Sequence, residues 1–301
     1  MCELRYRPEV RRSGRRRFLK TLGLAAFSLP LLYTAGVLGQ AANSPPTLMS
    51  APLELAGAWQ WRNPALRVLT RIREVCLTGV KLVSDRQPTI IRVDEHRAGT
   101  PAIWLHRSPA TTAWIILDVG PSAWCQVSYQ FGHELGHVLC NSWQSDAKPA
   151  FPCRWLEESM VEAFSIRGLG RLADSWQQNP PFAGDSAYSS EIRKYRDDVI
   201  TKYGGAGGPT SDPEIALWYR SSHEALDKSP LSGIEGPFIL RMLNALEGDI
   251  SAIADLGALN RWPARSGVPL KDYLTLWQKS CAEVHAPGRL PALIKSLLAV
   301  A

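Results

Sequence analysis

The segment QFGHELGHVL at residues 130–139 decides how the rest of this 301-residue chain is interpreted. His133 and His137 are four residues apart, so on an α-helix they lie on one face, about one turn from each other. Two imidazoles in this arrangement reach a single metal ion without backbone strain. Glu134 projects beside the open coordination position, where a base for a bound water has to be. The segment therefore predicts a helix with two metal ligands and a general base.

Two glycines, Gly132 and Gly136, interrupt the same segment. Inside a helix each costs ~1 kcal/mol relative to alanine, but a residue without a side chain permits close packing. Apolar residues occupy the other face, so we expect this helix to pack closely against the core. The alternative is a helix whose histidines only cap that core.

The surrounding patterns predict an α+β fold. Apolar residues recurring every three or four positions indicate a helix over residues 61–83. Three short β-like runs follow it, at residues 89–93, 102–106 and 113–119. Ser122 is the expected N-cap of the motif helix, which extends to about Trp143. After Pro152 the pattern is helical almost to the end, so a small sheet and an active-site helix precede a mostly helical C-terminal part.

The motif and its setting resemble the zinc-dependent metallopeptidases called zincins, in which this helix follows a sheet whose edge strand binds substrate. The metzincin branch would need Gly at position 140 and His at position 143, and this chain has Cys140 and Trp143. The gluzincin branch takes a glutamate from a second helix about twenty residues later, commonly in a Trp-x-x-Glu context. The segment WLEESMVE at residues 155–162 stands at that distance. The resemblance covers residues 113–165 approximately and implies a Zn²⁺ ion and a peptidase.

Geometry separates the glutamates of this second segment. On a helix, Glu158 shares a face with Trp155 and with Glu162 one turn later. Glu157 instead lines up with apolar residues, so we expect Glu158 to be the third ligand and Glu157 to be a surface or capping charge. Two roles remain open for Glu162: a carboxylate that orients a histidine N–H, or a solvated helix residue.

A peptidase of this kind also needs a donor for the oxyanion. Tyr219 and His223 are candidates because they lie on adjoining turns of one predicted helix, and Tyr203 is a further phenolic candidate. The alternative for each is an exposed helix residue without a catalytic role.

Five cysteines follow position 42, namely Cys76, Cys125, Cys140, Cys153 and Cys281. We expect Cys140 and Cys153 to form the first disulfide, in keeping with an oxidising compartment. The alternative is that all five are small buried hydrophobes. Cys140 is not expected to bind the metal, since seven residues at ~1.5 Å each place it ~10 Å from His133 along the helix.

The N-terminus predicts an export signal. Residues 15–20 read RRRFLK and precede an uncharged apolar stretch at residues 21–39 and small residues around position 41. The string resembles a twin-arginine signal, which implies a periplasmic or otherwise extracytoplasmic domain and contact with export machinery. The alternative is an uncleaved anchor helix, which would touch the membrane only through this leader.

The basic balance of the chain also belongs to this leader. Residues 1–41 carry eight Arg and Lys against two Glu, which equals the formal charge of +6 of the whole chain. The remainder is neutral, so no nucleic-acid partner is expected.

These patterns divide the chain into four predicted parts: an export signal (1–42), a linker (43–56), a zincin-like catalytic core (57–203) and a helical C-terminal subdomain (204–301). The predicted function is a zinc-dependent hydrolase acting on a peptide or protein substrate, with Glu134 as general base. Two alternatives remain: a zinc-binding protein of the same fold without turnover, and an anchored scaffold without metal.

Overall fold

The computed structural model describes residues 47–96, 101–105, 111–120, 123–144, 149–204, 211–228 and 233–300. The predicted export signal, Ser122 and the end of the second β-like run at His106 lie outside these residues. Among the described helices, none is both long and apolar enough to cross a membrane. The described residues belong to one compact unit, within which the division at 203/204 stays a prediction.

A four-stranded mixed sheet occupies the first part of this unit. Its strands are β1 (Leu53–Gly57), β2 (Ile90–Glu95), β3 (Ala102–Ile103) and β4 (Thr112–Leu117), in the order β1-β2-β4-β3. The first, second and fourth strands are parallel, and β3 runs antiparallel to β4 at one edge. Alternate residues of β2 are buried, as expected for a strand with one covered face.

The linker predicted for residues 43–56 is wrong from Leu53 onward, because β1 begins there. Leu53 pairs with Ile91 of β2, and the pairing continues to Gly57 opposite Glu95. A five-residue strand next to a proline-rich stretch has a weak local signal. Its pairing partner lies more than thirty residues away in the sequence, so tertiary contacts decide its structure.

Helices make up most of the remaining structure, which confirms the α+β fold class. They are α1 (Arg62–Leu77), α2 (Trp124–Leu139), α3 (Arg154–Gln178), α4 (Tyr188–Gly204), α5 (Asp212–Lys228), α6 (Gly236–Gly248), a 3₁₀ helix (Ile250–Ala258), α7 (Leu270–Glu283) and α8 (Arg289–Leu297). The motif at residues 130–139 lies in α2, as the spacing predicts. Most of α3 is buried, from Trp155 to Leu169.

The end of α2 comes four residues before the predicted limit at Trp143. Asn141 has a φ of 64°, in the left-handed region where asparagine is tolerated. The N–H of Ser142 donates to His137 O at 2.9 Å, and the N–H of Asn141 donates to Val138 O at 3.1 Å. These two bonds form a Schellman motif that closes the helix just after its second histidine.

The two glycines of α2 face α3, which confirms the predicted close packing. A Cβ at Gly136 would lie 2.9 Å from Val161 Cβ, and one at Gly132 would lie 3.0 Å from Ser165 Oγ. Because neither glycine carries a side chain, the axes of α2 and α3 approach closely. The histidines of α2 and the glutamates of α3 therefore share one interface.

The predicted disulfide between Cys140 and Cys153 is wrong, because all five cysteines of the described unit are free and buried. The Cys153 thiol donates to Val268 O at 3.2 Å instead of facing Cys140. The other interpretation of the sequence, cysteines as small buried hydrophobes, agrees with the structure.

A buried acid also organises the C-terminal helices. Asp255 is fully buried, and its carboxylate accepts the backbone N–H groups of Gly288 and Leu290 at 2.7 and 2.8 Å. These amides lie at the start of α8, where helix N–H groups lack helical partners. Asp255 therefore fixes the start of α8 on the 3₁₀ helix.

Candidate metal centre

Three side chains predicted as metal ligands converge between α2 and α3. One ligand atom each from His133, His137 and Glu158 lies within 4.8 Å of the other two. Glu158 Oε2 is 3.5 Å from His133 Nε2 and 3.4 Å from His137 Nε2. In a tetrahedral zinc site with bonds of ~2.0–2.1 Å, neighbouring ligand atoms are about 3.3 Å apart. The two distances from Glu158 suit a small tetrahedral cation, and the ligand atoms of the two histidines lie within 4.8 Å of each other.

The opposite nitrogen of each imidazole is held by a separate carboxylate. His133 Nδ1 donates to Glu162 Oε2 at 2.9 Å, and His137 Nδ1 donates to Glu157 Oε1 at 2.7 Å. A carboxylate only accepts, so each Nδ1 carries the proton. In the neutral imidazole the lone pair is then on Nε2, which is the atom that faces Glu158.

Glu162 is in turn positioned by tyrosine. The Tyr129 hydroxyl donates to Glu162 Oε1 and also hydrogen-bonds with Tyr203. Burial, reinforced by the charge of Glu162, raises the pKa of Tyr129 well above its usual range, so the phenol remains a neutral donor. Tyr129, His133 and His137 are spaced by four residues, so they lie on one face of α2. This spacing is the sequence signal that could have placed Tyr129 next to the site.

The expectation that Glu157 is a surface or capping charge is wrong. Glu157 is only 2% exposed, and its second oxygen accepts from Asn260 Nδ2 at 2.7 Å. Adjacent helix residues point about 100° apart, but α3 is enclosed on several sides, so Glu157 and Glu158 are both buried. Asn260 follows more than one hundred residues later, and no spacing in the sequence connects it to the histidines.

The third predicted ligand, Glu158, is supported on its other side as well. Its Oε1 accepts from Arg154 Nε at 3.3 Å, which leaves Oε2 directed at the histidines. Arg154 lies one turn earlier on α3, so this contact is local to the helix.

The cluster concentrates charge in a buried place. Burial alone would lower the pKa of His133, but the hydrogen bonds that it donates to Glu158 and Glu162 outweigh this effect and raise the pKa to about 10. Burial would raise the pKa of Glu158, but the nearby imidazoles, His137 first, hold it well below its usual range. Without metal, protons on the two imidazoles would offset two of the carboxylate charges. A divalent cation would supply the same two positive charges and release those protons.

Glu134 differs from the other acids of the cluster. It is 3% exposed, yet its carboxylate makes no hydrogen bond or ion pair with any residue the structure describes. Burial raises its pKa, while the charges of His133 and His137 oppose the shift. An unpartnered acceptor beside two candidate ligands is what a general base requires.

The two predicted oxyanion donors on α5 are not brought to the cluster by any contact in the described part of the chain. Tyr219 packs on Trp155, with ring centroids 6.0 Å apart, and burial raises its pKa to about 12. His223 is exposed, and its Nδ1 donates to Arg220 O at 3.1 Å. Tyr219 thus contacts Trp155, which lies one turn before Glu158 on α3. His223 instead faces solvent.

Comparison with known proteins identifies no relative: no family model matches the chain, and no curated protein or solved structure is significantly similar to it.

Proposed function

We propose that this chain is a zinc-dependent hydrolase that cleaves peptide bonds, with Glu134 as the general base. One observation carries the proposal. A single oxygen of Glu158 faces the Nε2 atoms of both histidines at 3.4–3.5 Å, while separate carboxylates hold both Nδ1 atoms. Two imidazoles and one carboxylate leave a tetrahedral ion one open position, which is typical of catalytic rather than structural zinc.

The bound ion would act as a Lewis acid toward the substrate carbonyl and lower the pKa of a coordinated water. Glu134 then accepts the proton of the attacking water and returns it to the departing amine. The raised pKa of Glu134 favours this exchange, because a base whose pKa is nearer to neutral pH both takes up and releases a proton. Glu157 and Glu162 keep both imidazoles in the tautomer that presents Nε2.

The edge of the sheet favours a peptide as substrate. Strand β3 is the last in the order and runs antiparallel to β4. Its outer edge is not paired with another strand among the described residues, and an extended peptide can add to such an edge through main-chain hydrogen bonds. This is the role that the resemblance to zincins implies for the edge strand.

Metal analysis of the purified full chain, followed by a survey of cleaved peptides, tests the proposal. We expect about one zinc per chain and cleavage that is lost with a chelator and restored by added zinc. Bound zinc without cleavage of any peptide would favour the zinc-binding protein without turnover. A folded protein that takes up no metal would favour the anchored scaffold.

The proposal that the chain is exported rests only on the sequence of the N-terminal leader. Changing Arg15 and Arg16 to Lys should leave the precursor in the cytoplasm, because a twin-arginine receptor reads the paired guanidinium groups. Cell fractionation measures the distribution. Unchanged export would mean that the leader uses the general secretory route or acts as an anchor.

A further inference from the structure

A polar cavity of about 450 Å³ lies where α3, α4 and α6 meet. Four of its lining residues are arginines: Arg167 and Arg171 on α3, and Arg193 and Arg196 on α4. Arg167 follows Glu158 by nine residues on α3, which is ~14 Å along the helix axis. The cavity is therefore separate from the proposed metal centre.

Arg167 is the most unusual member of this group. The residue is 3% exposed, and its single hydrogen bond among the described residues is a long one, from Nη1 to Cys76 O at 3.4 Å. A guanidinium has five N–H groups to donate, and this one lines the cavity without a carboxylate partner. Burial lowers the pKa of its guanidinium, the positive charge of Arg171 one turn later adds to that effect, and Cys76 and Glu247 oppose it only in part.

The acids around the cavity form their ion pairs with the other two arginines. Asp174 accepts from Arg193 at 2.7 Å, and Glu247 accepts from Arg196 at 2.8 Å. Asp197 lies 3.5 Å from Arg196 as well. Arg171 has no ion pair or side-chain hydrogen bond within the described ranges. Two of the four arginines, Arg167 and Arg171 on α3, thus have no ion pair among the described residues.

Two further features of the cavity wall concern Arg196. The nitrogen Nε of Arg196 is buried without a hydrogen-bond partner. Gly170 stands between Arg167 and Arg171 in the lining, and a Cβ there would come within 3.1 Å of that same nitrogen. A side chain at position 170 would therefore crowd Arg196.

We propose that this cavity is a binding site for a small molecule that carries a phosphate or sulfate group. Guanidinium groups match the oxygens of such anions through paired, charge-assisted hydrogen bonds. The oxyanion would contact the guanidinium groups of Arg167 and Arg171, which have no ion-pair partner among the described residues. The cavity has more room than one oxyanion needs, so the ligand is an ester with a small organic part.

Calorimetric titration of the full chain tests the site with four probes: inorganic phosphate, sulfate, phenyl phosphate and phenyl sulfate. Sodium acetate at equal ionic strength serves as the reference. We expect saturable binding of one oxyanion per chain, with tighter binding of a phenyl ester than of its inorganic parent. The stronger of the two esters identifies the head group. Heats no larger than those of acetate for every probe would overturn the proposal.

Substitutions assign the binding to this cavity. Arg171→Gln, at an exposed position, should weaken phosphate or sulfate binding at least about tenfold. Arg167→Gln should weaken it further, with thermal unfolding as the check that the variant is folded. Arg220→Gln removes an exposed arginine on α5 and should leave the affinity unchanged. Equal affinity of the Arg171 variant and the parent for phosphate and sulfate would contradict the site. The zinc content of each variant should match that of the parent, so it reports on the metal centre separately.

Discussion

Glu158 and Asp255 are both buried acids, yet the protein satisfies them in opposite ways. Asp255 receives two backbone N–H groups, which are neutral and fixed at the start of α8. Burial raises its pKa, and those N–H groups only partly oppose the shift. Glu158 faces two imidazole nitrogens at one point, and their charge lowers its pKa well below the usual range. Asp255 is thus satisfied by neutral donors that fix a helix start, whereas the proposal assigns Glu158 to a cation that it would share with two imidazoles.

The largest effect is expected from removing a histidine. His133→Ala and His137→Ala should each abolish stoichiometric zinc binding and all turnover, because two ligands cannot hold the ion against competing water and buffer. Elemental analysis of the purified variants measures the metal. His223→Ala, on exposed α5, is the control and should keep full zinc. A full complement of zinc in the His133 or His137 variant would contradict the proposed site.

Glu134→Gln should separate catalysis from binding. The amide cannot accept the proton of the attacking water, so turnover should fall roughly a hundredfold to ten-thousandfold. Zinc content should stay at the parent level, because this carboxylate is not among the three converging ligands. Turnover numbers on a cleaved peptide, with metal content measured on the same samples, decide the matter. Parental activity in this variant would refute the assignment of Glu134 as base.

The glutamates of α3 should rank by their distance from the ion. Glu158→Gln replaces an anionic ligand and should weaken zinc most. Glu157→Gln and Glu162→Gln remove only the carboxylates behind the imidazoles, so each should lower zinc affinity about tenfold to a hundredfold. Competition with a chromogenic chelator gives the three affinities. A greater loss in the Glu157 variant than in the Glu158 variant would make Glu157 the third ligand.

Asp255→Asn should show the smallest effect on the metal and a measurable effect on stability. The amide nitrogen would face a backbone N–H, so one buried donor loses its acceptor at a cost of about 1–3 kcal/mol. Urea unfolding followed by tryptophan fluorescence measures this change in the free energy of unfolding. Asp272→Asn, at an exposed position of α7, is the matched control and should change stability by less than about 0.5 kcal/mol. Loss of zinc in the Asp255 variant would contradict the distinction between Asp255 as a structural acid and Glu158 as a metal ligand.

Local patterns predicted the parts of the site that lie on a single helix. The spacing of His133 and His137 is enough to place both imidazoles on one side of α2, because helix geometry is regular over one turn. The face shared by Glu158 and Glu162 could be deduced from α3 in the same way. Gly132 and Gly136 indicated a close helix contact, although not which helix makes it.

The features that the sequence analysis missed depend on contacts between distant residues. Glu157 was expected at the surface, and only the packing around α3 makes it the partner of His137 and Asn260. Strand β1 needs the pairing of Leu53 with Ile91 to exist as a strand. Likewise, the direction of the Cys153 thiol toward Val268 depends on a segment more than one hundred residues away.

The sequence by itself determined the fold class, the motif helix and the order of the candidate ligands along the chain. These properties rest on periodicity, which repeats every few residues and needs no distant partner. Only the tertiary structure decided which carboxylate holds which imidazole, which acid stays without a partner, and where four arginines meet around one cavity. Those properties depend on distances between helices, and such distances are set by the packing of side chains that are far apart in the sequence.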